Sequence, residues 1–253
     1  MVRIVSDTST LYSTTQAKEA GFTVSPLSVT IAGKSYREFD EINSKEFVAL
    51  IQQGNLPTSS QPAIGEVQAA YEQYPGEDVL NIAMADGLSG TYNSAVAAAE
   101  MSENAEHIKV INSRTLCGPH RYIVERALEF SKAGRSLSEI VSWVEEKIDT
   151  AKSYLLPADF DYLRRGGRLS PLVSYVGQVA GLAPVMTPDR GWLPSDGRRC
   201  APRLYPCHQV CRQSSGRAGD RQRLARLYLP RRCHQKGRAG TGTAAEAVSR
   251  GCL

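Results

Sequence analysis

At 253 residues the chain can build one large domain or two smaller ones with cores of their own. No run approaches the roughly 18 apolar residues of a membrane-spanning helix, and Met1 to Asp7 lacks the charged and apolar regions of a secretory leader, so a soluble, cytoplasmic protein is expected. The formal charge of +4 conceals a break: residues 1–190 hold 17 Lys and Arg against 23 Asp and Glu, whereas residues 191–253 hold 13 against 3.

Along the chain, Val2 to Val5 reads as a short buried strand ending at Ser6-Asp7-Thr8-Ser9. Thr15 to Ala20 reads as a helix stopped by Gly21, and Phe22 to Ile31 as extended, with Ala32-Gly33-Lys34 turning the chain into Ser35 to Arg37. Asn43 or Ser44 caps a helix through Gln53, closed by Gly54-Asn55. A turn at Thr58 leads into a helix from about Ala63 to Tyr74, then the strand Val79 to Ala85, a helix from Thr91 to Met101 and the strand His107 to Ile111. Helices follow at about Gly118 to Lys132 and Leu137 to Thr150, the second opened by a Ser136/Glu139 capping box. Alternating strands and helices of these lengths predict a parallel sheet covered on both faces, with ligands binding beyond the carboxyl ends of the strands, near Ser6, Asp7 and Ser89. Beyond Ser153 to Leu156, a small-residue helix is expected at Pro171 to Gly181 and a strand at Ala183 to Thr187. After about Pro194 no period of 2 or 3.6 emerges until a weak helical stretch near Arg221 to Tyr228.

Two hydroxyl-rich segments, read as turns, carry the functional signal. They are Pro57-Thr58-Ser59-Ser60-Gln61-Pro62 and Leu88-Ser89-Gly90-Thr91-Tyr92-Asn93-Ser94-Ala95, each placed just before a helix. Free backbone N–H groups and hydroxyls converging there favour an anion. A carboxylate or phosphate would be held without a catalytic base, and no nucleophile–base set emerges from the sequence. In isolation Ser89 reads as a helix cap, Asp7 as a loop-orienting residue and Cys117 as a buried thiol, while His107, His120, His208 and His234 show no paired-ligand spacing.

Four motifs, in order and spacing, carry a resemblance over roughly residues 1–193: Ser6-Asp7-Thr8-Ser9-Thr10, Ser59 to Glu66, Leu88 to Ala95, and Gly166-Gly167-Arg168-Leu169-Ser170. In these the chain resembles the DegV family of bacterial fatty-acid-binding proteins, some of which are the acyl-carrying subunit of a fatty acid kinase. The resemblance implies a two-domain α/β fold, a first domain over residues 1–150 and a second α/β domain over 151–253, with an acyl chain buried between them. It implies a carboxylate held by Ser89 and by either Thr58 or Ser59, and an Arg168 near the mouth that docks the kinase or orients the phosphate. It implies no cofactor and no metal beyond the bound fatty acid, no catalysis by this chain, and phosphoryl transfer by the partner. An enzyme acting on a small phosphorylated or carboxylated substrate at the same segments is the alternative. The chain departs from the family pattern at Asn112, where relatives usually carry aspartate, and at Gly118-Pro119-His120-Arg121, where small residues are usual. The terminal His-x-Gly-x-Gly segment that closes over the carboxylate has no counterpart after residue 190, so the second domain is expected to be incomplete.

That tail has a composition of its own. From Gly191 it contains no Ile, Phe, Met or Asn, has twelve Arg beside one Lys, and holds five of the six cysteines. A zinc reading would use Cys207, His208, Cys211, Cys233 and His234, but Cys-x₃-Cys followed by Cys-His is not a standard spacing. A nucleic-acid reading would use the arginines, yet aromatic residues do not interleave with them and no module is recognisable, so nucleic acid is not expected as a partner. The preferred reading is translation out of frame from about Pro194, which GC-rich coding DNA would render in these residue types.

Overall fold

The computed structural model describes residues 1–151, 153–155, 160–167, 185–187 and 203–205. Strand β1 (Arg3–Asp7) leads through a short 3-10 turn at Thr8–Thr10 into helix α1 (Thr14–Ala20), whose start is closed by a reciprocal Ser13/Gln16 capping box. Gly21, with φ +101°, ends it in the left-handed conformation that glycine adopts without steric cost. The extended stretch divides at Pro26-Leu27 into β2 (Thr23–Ser25) and β3 (Ser28–Ile31), which enter different sheets. Ala32 and Gly33, both at positive φ, turn β3 into its antiparallel partner β4 (Lys34–Arg37). Asn43 caps α2 (Ser44–Gln52) through the N–H groups of Lys45 and Glu46.

The Thr58 segment departs from expectation. It is an edge strand, β5 (Thr58–Ser60), paired antiparallel with β3 so that Thr30 faces Thr58, Val29 faces Ser59 and Ser28 faces Ser60. Its β-structure comes from a partner thirty residues away, which a local reading of Thr-Ser-Ser does not reveal.

The chain continues through α3 (Ile64–Tyr71), β6 (Val79–Ala83), α4 (Thr91–Met101), β7 (Ile108–Asn112), α5 (Cys117–Lys132), α6 (Leu137–Thr150) and α7 (Phe160–Arg165). The main sheet has the order β2-β1-β6-β7, with every pairing parallel. Ile4, Val24, Leu80 and Ile82 pack on one face with residues of α1, α5 and α6; Val5 and Val79 pack on the other with residues of α3 and α4. All five residues of β6 are buried, as a parallel strand covered on both faces requires. Sheet order runs outward in opposite directions from β1 and β6, which places a topological switch point at their carboxyl ends. The second sheet, β4-β3-β5, packs Val29 and Ile31 against Phe47, Leu50 and Ile51 of α2.

Toward the C-terminal end, Leu155 is a single bridge residue among the described positions. Strand β8 (Val185–Thr187) lies within the expected strand. It pairs antiparallel with β9 (Arg203–Tyr205), an element inside the stretch where no period was legible. The helix expected at Pro171 to Gly181, the stretch near Arg221 to Tyr228, the tail cysteines and histidines, and most of the second domain lie outside the described residues.

Candidate functional site

The carboxyl ends of β1 and β6 are tied together by Asp7. This carboxylate is buried, accepting from the Ser9 N–H at 2.9 Å and from the Met84 N–H at 2.8 Å. Both oxygens are committed to backbone N–H groups, so Asp7 caps the Thr8–Thr10 turn and orients the loop. Thr8 accepts from the Leu27 N–H at 3.1 Å and donates to Glu38 at 2.7 Å, anchoring the β2–β3 connection beside it.

Ser89 lies in the loop between β6 and α4, partly buried. Its Oγ accepts from the Thr91 N–H at 3.3 Å and lies 2.8 Å from Thr91 Oγ1. It therefore helps cap α4, while Gly90 occupies the cap position itself. With Thr91 as the hydroxyl donor, the Ser89 O–H remains available to an acceptor outside the loop.

Thr58, Ser59 and Ser60 are exposed along β5, and no described residue hydrogen-bonds to their hydroxyls. Strand geometry sends successive side chains to opposite faces. Ser59 shares the face of Val29, against which α2 packs; Thr58 shares the opposite face with Thr30 and Ser60. A ligand approaching from one side of this sheet meets Thr58 or Ser59, never both. Arg168 lies outside the described residues.

The two hydroxyl segments do meet. Gln61, next after β5, donates from Nε2 to Ser94 Oγ on α4 at 2.8 Å. Its carboxamide lies on Gly90: a Cβ there would overlap Gln61 Oε1 and sit 2.8 Å from Gln61 Cδ. Neither partner was singled out in the sequence, although both belong to the two segments that were.

His120 shows no paired-ligand spacing in the sequence because its partners are remote. It is fully buried, with Nδ1 2.7 Å from Ser9 Oγ and Nε2 3.0 Å from the Ile82 carbonyl and 3.2 Å from Ser6 Oγ. Because a carbonyl only accepts, Nε2 carries the proton and Nδ1 accepts from Ser9. Cys117 is half-buried at the start of α5, its thiol pushed up first by burial and then by Glu38, which makes it a poor thiolate. No group of three or more metal-ligating side chains occurs among the described residues, and no described helix is long and apolar enough to cross a membrane.

A family model described as "Uncharacterised protein, DegV family" matches residues 1–198, more than three quarters of the chain. The chain belongs to the DegV family. A DegV domain-containing protein of Staphylococcus aureus strain N315 is 33% identical over 192 residues, covering 75% of this chain and 68% of that one. Among solved structures, DegV of Bacillus subtilis, a fatty acid binding protein, superposes with a TM-score of 0.66 at 26% identity, covering 92% of this chain and 78% of that one. The fatty acid kinase B3 protein of Streptococcus pneumoniae, loaded with linoleic acid, shares the fold at a TM-score of 0.68 and 20% identity, over 95% and 80% of the two chains. The fold is thus the mixed α/β DegV fold, with its parallel sheet flanked by helices. The match extends a few residues past the expected 193 and stops near the compositional break.

Proposed function

We propose that this chain binds a long-chain fatty acid and presents its carboxylate to a separate kinase for phosphorylation. The carrying observation is the meeting of two hydroxyl segments through Gln61 and Ser94 beside the switch point of the parallel sheet. Relatives support the ligand class: the Bacillus subtilis protein is a fatty acid binding protein, and so is a DegV family protein of Thermus thermophilus at 26% identity.

Chemistry fits the same ligand. Burying an acyl chain supplies about 0.8 kcal/mol per methylene, so affinity comes from the tail. The head group then needs only donors that keep a sequestered anion from being unsatisfied. Ser89, with Thr58 or Ser59, supplies hydroxyl donors for that purpose, and Arg168 is assigned to the kinase or its phosphate. On this reading the chain is a carrier and not an enzyme, needs no cofactor, works in the cytoplasm and pairs with a kinase subunit that brings the phosphoryl-transfer machinery.

The enzyme alternative finds one observation in its favour, the Ser9–His120 contact at 2.7 Å. Yet His120 is fully buried and its other nitrogen is held by a main-chain carbonyl rather than a carboxylate. Native mass spectrometry of the purified protein separates the readings. A co-purifying species of fatty-acid mass is expected; a polar ligand, or none together with measurable turnover, would sink the carrier reading. Ser89→Ala is expected to weaken fatty-acid binding by about ten- to a hundredfold, the effect of one hydrogen bond to a charged group.

A further inference from the structure

We infer that Gln61 is a positioning residue that fixes the two hydroxyl segments in a single geometry, an inference that rests on the carboxylate site proposed above. The segments belong to separate hydrogen-bonded layers. Thr58 and Ser59 lie on β5 of the three-stranded sheet, and Ser89 lies in the loop after β6 of the four-stranded sheet. Something must set their separation to within a fraction of an ångström if they are to share one carboxylate.

Gln61 is built for this. It stands directly after β5, with Pro62 behind it restricting its backbone. Its side chain crosses to the other layer and donates to Ser94 Oγ at 2.8 Å. Ser94 is buried on the first turn of α4, where its own N–H donates to the Gly90 carbonyl at 2.9 Å. The carboxamide thus lies across the residue that follows Ser89. Gly90 has φ −71° and ψ 5°, a conformation open to any residue, so its backbone angles give no reason for glycine. What a side chain there would meet is the Gln61 carboxamide, which it would have to push aside. Gln61 does not itself need to touch the ligand; it acts through the Ser89 loop.

The test uses the full chain, radiolabelled palmitate and seven variants: Ser89→Ala, Thr58→Ala, Ser59→Ala, Gln61→Met, Gly90→Ala, Ser94→Ala and the Gln61→Met/Ser89→Ala double. Methionine keeps the length over Gly90 and removes the hydrogen bond. Gln61→Met and Ser94→Ala are each expected to raise Kd about fivefold through the displaced loop, and to lower Tm by a few degrees through the lost hydrogen bond. In the Gln61→Met background, Ser89→Ala should cost clearly less than in the parent, because the loop is already displaced. That coupling is the readout a merely structural glutamine would not give. If Ser89→Ala weakens binding while Gln61→Met and Ser94→Ala bind like the parent, the positioning role is overturned and the site stands. Additive losses in the double variant also overturn it. If Ser89→Ala, Thr58→Ala and Ser59→Ala all leave Kd unchanged, the site itself is wrong. Should Gly90→Ala fail to fold, Gln61→Met and Ser94→Ala interrogate the same contact from its two ends.

Discussion

Ser25 ends β2 with its hydroxyl buried and, among the described residues, without a hydrogen-bond partner. Such a group carries its desolvation cost with nothing to offset it, so Ser25→Ala is expected to stabilise the protein by about 1 kcal/mol, read as a raised Tm. Glu125 is the opposite case. It accepts from Tyr12 at 2.6 Å and from Arg121 at 2.8 Å, and these contacts, Tyr12 first, hold its carboxyl below the ordinary glutamate value. A depressed acid contributes stability that is present above its unfolded value near 4.3 and is lost as pH falls through the lower folded value. Acid unfolding curves of the parent should therefore fall off below about pH 4.5 more steeply than those of Glu125→Gln; superimposable curves would remove the pair from the account. Arg121 also lies over the Tyr12 ring at 4.1 Å from its centroid, so the three side chains pin α5 to the loop after β1.

At the scale of elements, what was legible in the sequence followed the range of the interaction. Ser136 is legible as a cap because its partner Glu139 stands three residues on, and of the two candidates Asn43 and Ser44 the structure uses Asn43, with Glu46 as its reciprocal partner. Asn43→Ala should cost about 1 kcal/mol in urea unfolding, since it strips two N–H groups of α2 of their acceptor. The same range explains the failures. The Thr58 segment reads locally as a turn because its strand character is conferred by β3, and Phe22 to Ile31 reads as one extended run although Pro26-Leu27 sends its halves into different sheets. His120 meets Ser9 across 111 positions and Gln61 meets Ser94 across 33, distances over which no local periodicity reports. The site's hydroxyls were therefore visible as residues, while the side chain joining them was not.

Over the whole molecule, the family match ends at residue 198, close to where the charge balance reverses. We propose that the tail is read out of frame. Translating the coding DNA in its other two frames past codon 193 should yield a strand-rich continuation ending in a His-Gly segment, and the absence of one in both frames would end that idea. The two-sheet construction has a further consequence. Because β5 and the Ser89 loop belong to different layers, a head group bridging them would act as a cross-brace beside the Gln61–Ser94 hydrogen bond. Ligand should then slow amide hydrogen exchange most strongly in β3, β4 and β5, and least in α5 and α6, which are fastened to the main sheet without it. In that event the acyl cargo is also a structural member of its carrier, and release of the fatty acid is coupled to loosening of the smaller sheet.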